Sequence, residues 1–146
     1  MASELKVDKF TGVTTAGSIL VTGEGNSTTT NLQQGLAKFW INLEGASTTS
    51  DADLVGVNDS FNATSVVDNG TGSYTSSFTN AMNNANYSVV LTHEHGDAGG
   101  QTSNAYFQTI ATGSFISHNE GVSSGSNTSH GARDFAVCGQ VTGDLA

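Results

Sequence analysis

Proline is absent from this chain, cysteine occurs once, and Lys and Arg together number four among 146 residues. Without proline there is no cis-prolyl turn and no stiff polyproline spacer. A single cysteine, Cys138, cannot close an intrachain disulfide, which excludes a small disulfide-stapled scaffold. Its setting, "FAVCGQV", reads as a strand in which Cys138 is a small buried hydrophobe; no histidine adjoins it to make a nucleophile. Lys6, Lys9, Lys38 and Arg133 stand against 13 acidic residues, for a net charge of −9. Four cations cannot neutralise a phosphate backbone, so nucleic acid is not an expected partner. An anionic membrane leaflet would repel the same charge, and no run reaches the roughly 20 apolar residues of a helical span. Charged residues make up only 12%, about half the usual share.

What fills the gap is Ser, Thr, Asn and Gly, together nearly half of the chain. Neutral hydroxyls and amides suit strands and turns better than surface helices. Six N-x-[ST] sequons occur, at Asn26, Asn58, Asn62, Asn69, Asn86 and Asn127. "MASELKVDKF" has charges at both ends and no continuous apolar stretch, so no export leader is expected and the sequons read as composition.

Residues 1–35 form an expected first region. "LKVDKF" alternates Leu5 and Val7 with Lys6 and Asp8 and ends on Phe10, a first short strand of an N-terminal β arm. "GSILVTGEG" predicts a short strand from Ile19 to Val21, and "NSTTTNLQQG" is nearly featureless. So few large apolar side chains cannot make a core, and the region is expected to lie extended as an anchoring arm. Fully stretched, it would reach on the order of 110 Å.

From Leu36 the strand signal strengthens, and residues 36–146 are expected to be one antiparallel β-sandwich or jelly-roll-like domain. "AKFWINLEG" sets Phe39, Ile41 and Leu43 on one face; Lys38, Trp40, Asn42 and Glu44 fall on the other. Trp40 is therefore either core for a second sheet or an exposed contact. "NLQQGLAKFW" is a weak helix candidate against this strand pattern. "LVGVND" predicts a short strand. Over 60–79, two strand-like runs flank Asp68-Asn69-Gly70-Thr71-Gly72, a hairpin in which Asn-Gly supplies positive φ. Tyr74 and Phe78 share one face of its second strand. Tyr87, Val89, Leu91 and His93 share a face of the next. "NAYFQTIATGSFISH" predicts strand, bend at Gly113, strand. "GVSSGSNTSHG" reads as a loop, and "ARDFAVCGQV" as the closing strand. Short strands at this spacing make the fold all-β.

One stretch carries possible chemistry. "LTHEHGDAGG" sets His93, Glu94, His95 and Asp97 close together. It resembles the T-H-x-H-x-D-H zinc signature of the metallo-β-lactamase superfamily, but the last histidine is replaced by Ala98. The resemblance also implies a longer αββα chain with further ligands downstream; here only His118 and His130 follow, both in Gly/Ser/Asn-rich loops. His93 and His95 at i and i+2 face one way along a strand and can chelate one ion, yet a zinc site needs further ligands and support around them. The competing reading is a polar strand end with His93 partly packed on the sheet. Trimer symmetry gathering histidines around an axis stands between the two. Glu24, Glu44 and Asp59 lie on separate elements with no pairing for acid–base work. Asp51, Asp53 and Asp59 do not have a calcium-loop spacing. No enzyme activity, metal or other cofactor is expected.

"SELKVDKF", "GSILVTGEG", "TTTNLQQGLAKFWINLEG" and "DSFNATSVVDNGTGSYTSSFTNAMNNANYSVVL" resemble recurring segments in tail-fibre and virion structural proteins of marine tailed bacteriophages such as cyanophages. The resemblance covers most of residues 3–91 and is most specific in the hairpin. Beyond Leu91 it ends, where receptor-facing variation would be expected. It implies a homotrimeric component of the particle surface, contacting other virion proteins of capsid or tail through the arm, with Leu5, Val7, Phe10, Ile19, Val21 and Trp40 as candidate partner-binding residues. A capsid decoration or cement protein, a short fibre, and a tail tip that binds a host glycan or protein receptor all remain open at this level.

Overall fold

The structure is a computed structural model that describes residues 4–11, 19–23, 29–45, 56–93, 103–122 and 130–145. The chain divides into two compact units, 1–36 and 37–146.

In the first unit, β1 (Leu20–Thr22) pairs antiparallel with β2 (Thr29–Asn31), and a single helical turn, α1 (Leu32–Gly35), follows. The Leu32 amide donates to the Ile19 carbonyl and closes the ribbon. The expected strand at Leu5–Phe10 is absent: this stretch is irregular. Its two-step alternation is too short, and no strand among the described residues offers its backbone a ladder. Conversely, the "featureless" Thr29–Asn31 is a strand, because β1 supplies it with partners. No described side chain of residues 4–36 is fully buried.

The second unit is a sandwich of two antiparallel sheets. One has the order β4-β3-β11-β7, built from Val57–Phe61, Ala37–Leu43, Val137–Thr142 and Ser88–His93. The other is built from β5 (Ala63–Asp68), β6 (Ser73–Phe78), β8 (Ser103–Ala111), β9 (Ser114–Val122) and β10 (His130–Ala132). In it β9 is the hub. β8 pairs with β9 from Ser114 to Gly121 and so occupies one edge. β6 takes Ser114–His118 and β10 takes Glu120–Val122, so these two lie end to end along the other edge. The junction is closed at Asn119, whose amide donates to Gly72 O and whose carbonyl accepts from Arg133 N. Gly72 has φ +72°, and a Cβ there would stand 2.5 Å from the Asn119 carbonyl oxygen, so only glycine allows β6 and β10 to share the edge.

Period-two burial drives the two sheets together. Phe39, Ile41, Leu43, Val137 and Val141 from one sheet meet Val66, Tyr74, Phe78 and Phe115 from the other in one core. Phe39, Phe78, Phe115 and Tyr87 form its centre, with ring centroids 5.0–6.0 Å apart in tilted and edge-on pairs, the spacing aromatic quadrupoles favour. Hairpins join β3 to β4, β5 to β6 and β8 to β9. Two turn details differ from the sequence reading. The 68–73 turn takes its positive φ at Gly70 and Gly72 rather than at Asn69. The predicted "LVGVND" strand begins three residues later, at Val57, after Gly56 with φ +80°.

The passage from one sheet to the other at β4–β5 turns on Asn62, the one non-glycine residue with positive φ (62°) among the described residues. Asparagine tolerates this region because its short side chain bonds locally. Here its amide nitrogen donates to the carbonyls of Lys38 and Asn80, at 2.9 and 3.0 Å, and its oxygen accepts from Asn80 N at 2.7 Å. Asn62 is a sequon asparagine whose amide is committed to the fold.

Candidate functional site

The outer face of the β4-β3-β11-β7 sheet carries the chemistry. Its strand registers fix the layout. Trp40 lies opposite Phe61 on β4 and Gln140 on β11, and Gln140 lies opposite Val90 on β7. One step along, Asn42 lies opposite Asp59 and Cys138, and Cys138 opposite Thr92. A bulge between Asn42 and Leu43 pairs Leu43 with Val57, leaving Asn58 as the extra residue. Asn58 and Asp59 are therefore both exposed, and Asn58 donates from Nδ2 to Asn42 Oδ1 at 3.3 Å. Bulges re-aim side chains in this way beside many functional sites.

A cavity of about 540 Å³ opens at this end of the sheet, lined by Asn42, Glu44, Asn58, Thr92, His93, Ala136 and Cys138. Its volume lies within the range of small-molecule sites. The lining is amide, carboxylate, hydroxyl, imidazole and thiol, with no lysine or arginine. Beside it Trp40, Phe61 and Val90 are 37%, 51% and 61% exposed, a row that is apolar except for Gln140 between Trp40 and Val90 and that flanks a polar one.

Cys138 corrects an expectation. It is exposed, because Val137, Gly139 and Val141 take the inward positions of β11. Gly139 is the reason the inward position there is small: a Cβ would meet Leu91 Cδ2 at 3.1 Å and Ile41 Cγ2 at 3.4 Å. Lys38 corrects another. It was expected on the polar face beside Trp40 but is only 5% exposed. The bulge at Val141/Thr142 pairs Thr142 with Ala37, which takes Lys38 out of the facing pairs. Burial lowers its pKa, and the charge of Asp144 partly offsets that.

Of the histidine stretch, His93 is described and Glu94, His95, Asp97 and Ala98 lie outside the described residues, as do Glu24, Asp51 and Asp53. His93 pairs with Val137 in register and is half-buried, its ring 5.8 Å from that of Phe135. Among the described residues no three of His, Cys, Asp and Glu stand together as metal ligands. His130 begins β10. His118 is in β9, not a loop. Tyr106 stacks on it at 5.5 Å and 14°, and its Nε2 lies 2.8 Å from Gln108 Oε1 and 3.4 Å from Ser73 Oγ. These contacts hold the imidazole between Gln108 and Ser73. Glu44, just past the end of β3, and Asp59, in β4, are both exposed, and Asp59 accepts from the Ser60 amide.

The candidate contacts Leu5, Val7, Phe10 and Val21 are exposed in the first unit, with Leu20 and Leu36, while Ile19 is half-buried. Trp40 belongs to the sandwich, on its outer face. The structure thus divides the six candidates between the two units. What the sequence reading missed is the row Asn42, Asn58, Thr92 and Cys138. Alternation marks Asn42, Asn58 and Thr92 as outward on their own strands, but only strand order brings them together with Cys138. Among the described residues no helix is long and apolar enough to cross a membrane. No protein-family model, curated protein or solved structure matches this chain.

Proposed function

We propose that this is a non-enzymatic structural protein of a tailed-phage virion, a short fibre or capsid decoration protein whose N-terminal segment attaches it to the particle and whose β-sandwich is displayed. The observation that carries the reading is the contrast between the two units. The second closes its own core around eleven buried apolar residues. The first exposes Leu5, Val7, Phe10, Leu20, Val21 and Leu36 and has no buried side chain among its described residues. Clustered apolar residues on a segment without a core are stabilised by burial against a partner. The resemblance of residues 3–91 to virion proteins of marine tailed phages names a partner of the right kind: neighbouring subunits and capsid or tail proteins. A homotrimer follows from the same reasoning.

The test is direct. Purified particles are analysed by mass spectrometry for this chain, and the isolated protein by light scattering at micromolar concentration. Presence at integral copy number per particle and a trimeric mass support the proposal. A chain absent from particles, or a monomer whose first unit is protected from proteolysis, refutes it.

A further inference from the structure

We propose that the outer face of the β4-β3-β11-β7 sheet binds a neutral oligosaccharide, with Trp40 as the stacking platform and Asn42, Asn58 and Thr92 as the hydrogen-bonding row. The inference deepens the virion reading and rests on it only for where such a ligand is met, a host surface.

Sugars present two chemistries at once: an apolar patch of C–H groups on the ring face and a rim of hydroxyls that both donate and accept. This face presents the complement of both. An indole offers a rigid apolar surface at small entropy cost. Asn42 and Asn58 each carry two donors and an acceptor, and Thr92 a hydroxyl that does both. Their polar groups are near solvent and are not consumed by the core; the Asn58–Asn42 contact, at 3.3 Å, is long. Residues two apart on a strand are separated by about 6.8 Å. A ligand that covers Trp40 and also enters the cavity beyond Asn42 is therefore longer than one sugar ring.

Charge selects the class. Glu44 lines the cavity, Asp59 adjoins it, and among the described residues no lysine or arginine lines it. Carboxylates accept hydroxyl protons but repel sulfated, sialylated or uronic sugars, and the net charge of −9 adds to this at long range. A protein partner of ordinary size would bury about 800 Å² a side around an apolar centre. Here the apolar row is single and its polar neighbour opens into a hollow, which suits a narrow, hydroxylated ligand better.

Trp40 is the chain's sole tryptophan, so its fluorescence reads the site directly. The full chain is titrated with cellotetraose, mannotetraose and chitotetraose, and with tetragalacturonate as the anionic control. At least one neutral probe should shift Trp40 emission saturably at or below about 10 mM, beyond the weak end of specific binding. Tetragalacturonate should not. Asn42→Ala and, separately, Thr92→Val should weaken that response about tenfold while leaving the thermal midpoint in place, since both side chains are exposed. Trp40→Ala should abolish heat on calorimetric titration. Silence from all three neutral probes overturns the proposal, as does equal binding of tetragalacturonate or an unchanged response in both polar variants. Emission that shifts on dilution without sugar also overturns it, because a second copy then covers the face. Particle mass spectrometry reads the virion proposal separately, so either can fail while the other stands.

Discussion

The corner at Asn62 offers a quantitative test of how the two sheets are joined. Three things hold it: tolerance of φ 62°, two hydrogen bonds donated to the Lys38 and Asn80 carbonyls, and bonds accepted from Asn80 N and Nδ2 at 2.7 and 3.1 Å. Asn62→Gly keeps the backbone freedom and removes the bonds. Most of them are solvent-exposed, so each contributes about 0.5 kcal/mol, at the low end for a hydrogen bond, and the variant should lose about 2 kcal/mol. Asn62→Ala removes the same bonds and adds a left-handed penalty of about 1 kcal/mol, for about 3 kcal/mol in all. With a urea slope near 2 kcal/mol/M for a domain of this size, midpoints should fall by roughly 1 M and 1.5 M. Trp40, opposite Phe61 just before the corner, reports unfolding by fluorescence. The gap between Ala and Gly isolates the backbone term. If Gly costs as much as Ala, positive φ is not the constraint; if both match the wild type, the hydrogen bonds contribute nothing.

Three further outcomes are expected. Burial pushes the Tyr87 phenol up to about 12, so its contribution is complete below about pH 10, its usual value. It is lost between about pH 10 and 12 as the unfolded chain ionises first; Tyr87→Phe should flatten denaturation midpoints across that window, and an unchanged slope would refute the assignment. Tyr74→Phe removes the hydroxyl that donates to Asp134 Oδ1 at 2.8 Å and lies 3.0 Å from Gly45 O, and should cost about 1.5–3 kcal/mol by urea titration. Deleting residues 2–30 should leave cooperative unfolding of the sandwich, whose core lies wholly within 37–146, while abolishing incorporation into particles; full occupancy by the truncated chain would exclude the N-terminal segment as the anchor.

Much of the fold was legible because strand burial is a local property. Alternation over Ala37–Leu43, the glycine-rich turn after Asp68 and the bend at Gly113 each act within a few residues, and β3, the β5–β6 hairpin and the β8–β9 hairpin formed where that pattern placed them. The same rule failed at Leu5–Phe10, where alternation found no partner strand, and at Thr29–Asn31, where a partner made a strand from an unpatterned run. A ladder needs two strands, and the second is not written in the first.

The candidate site divides along the same line. The sequence by itself determined the acidity, the scarcity of cations, the all-β character and the placement of Trp40 on the face opposite Phe39, Ile41 and Leu43, because these depend on composition and on a period of two; that this face is the exposed one came from the structure. Tertiary structure alone decided that β11 lies between β3 and β7, which sets Asn42, Cys138 and Thr92 in one row although 96 positions separate Asn42 from Cys138. It also decided that a bulge turns Asn58 toward Asn42, that Gly139 rather than Cys138 faces the core, and that Lys38 is buried. Register and bulges arise from packing two sheets on one aromatic centre, an interaction between residues far apart in the chain.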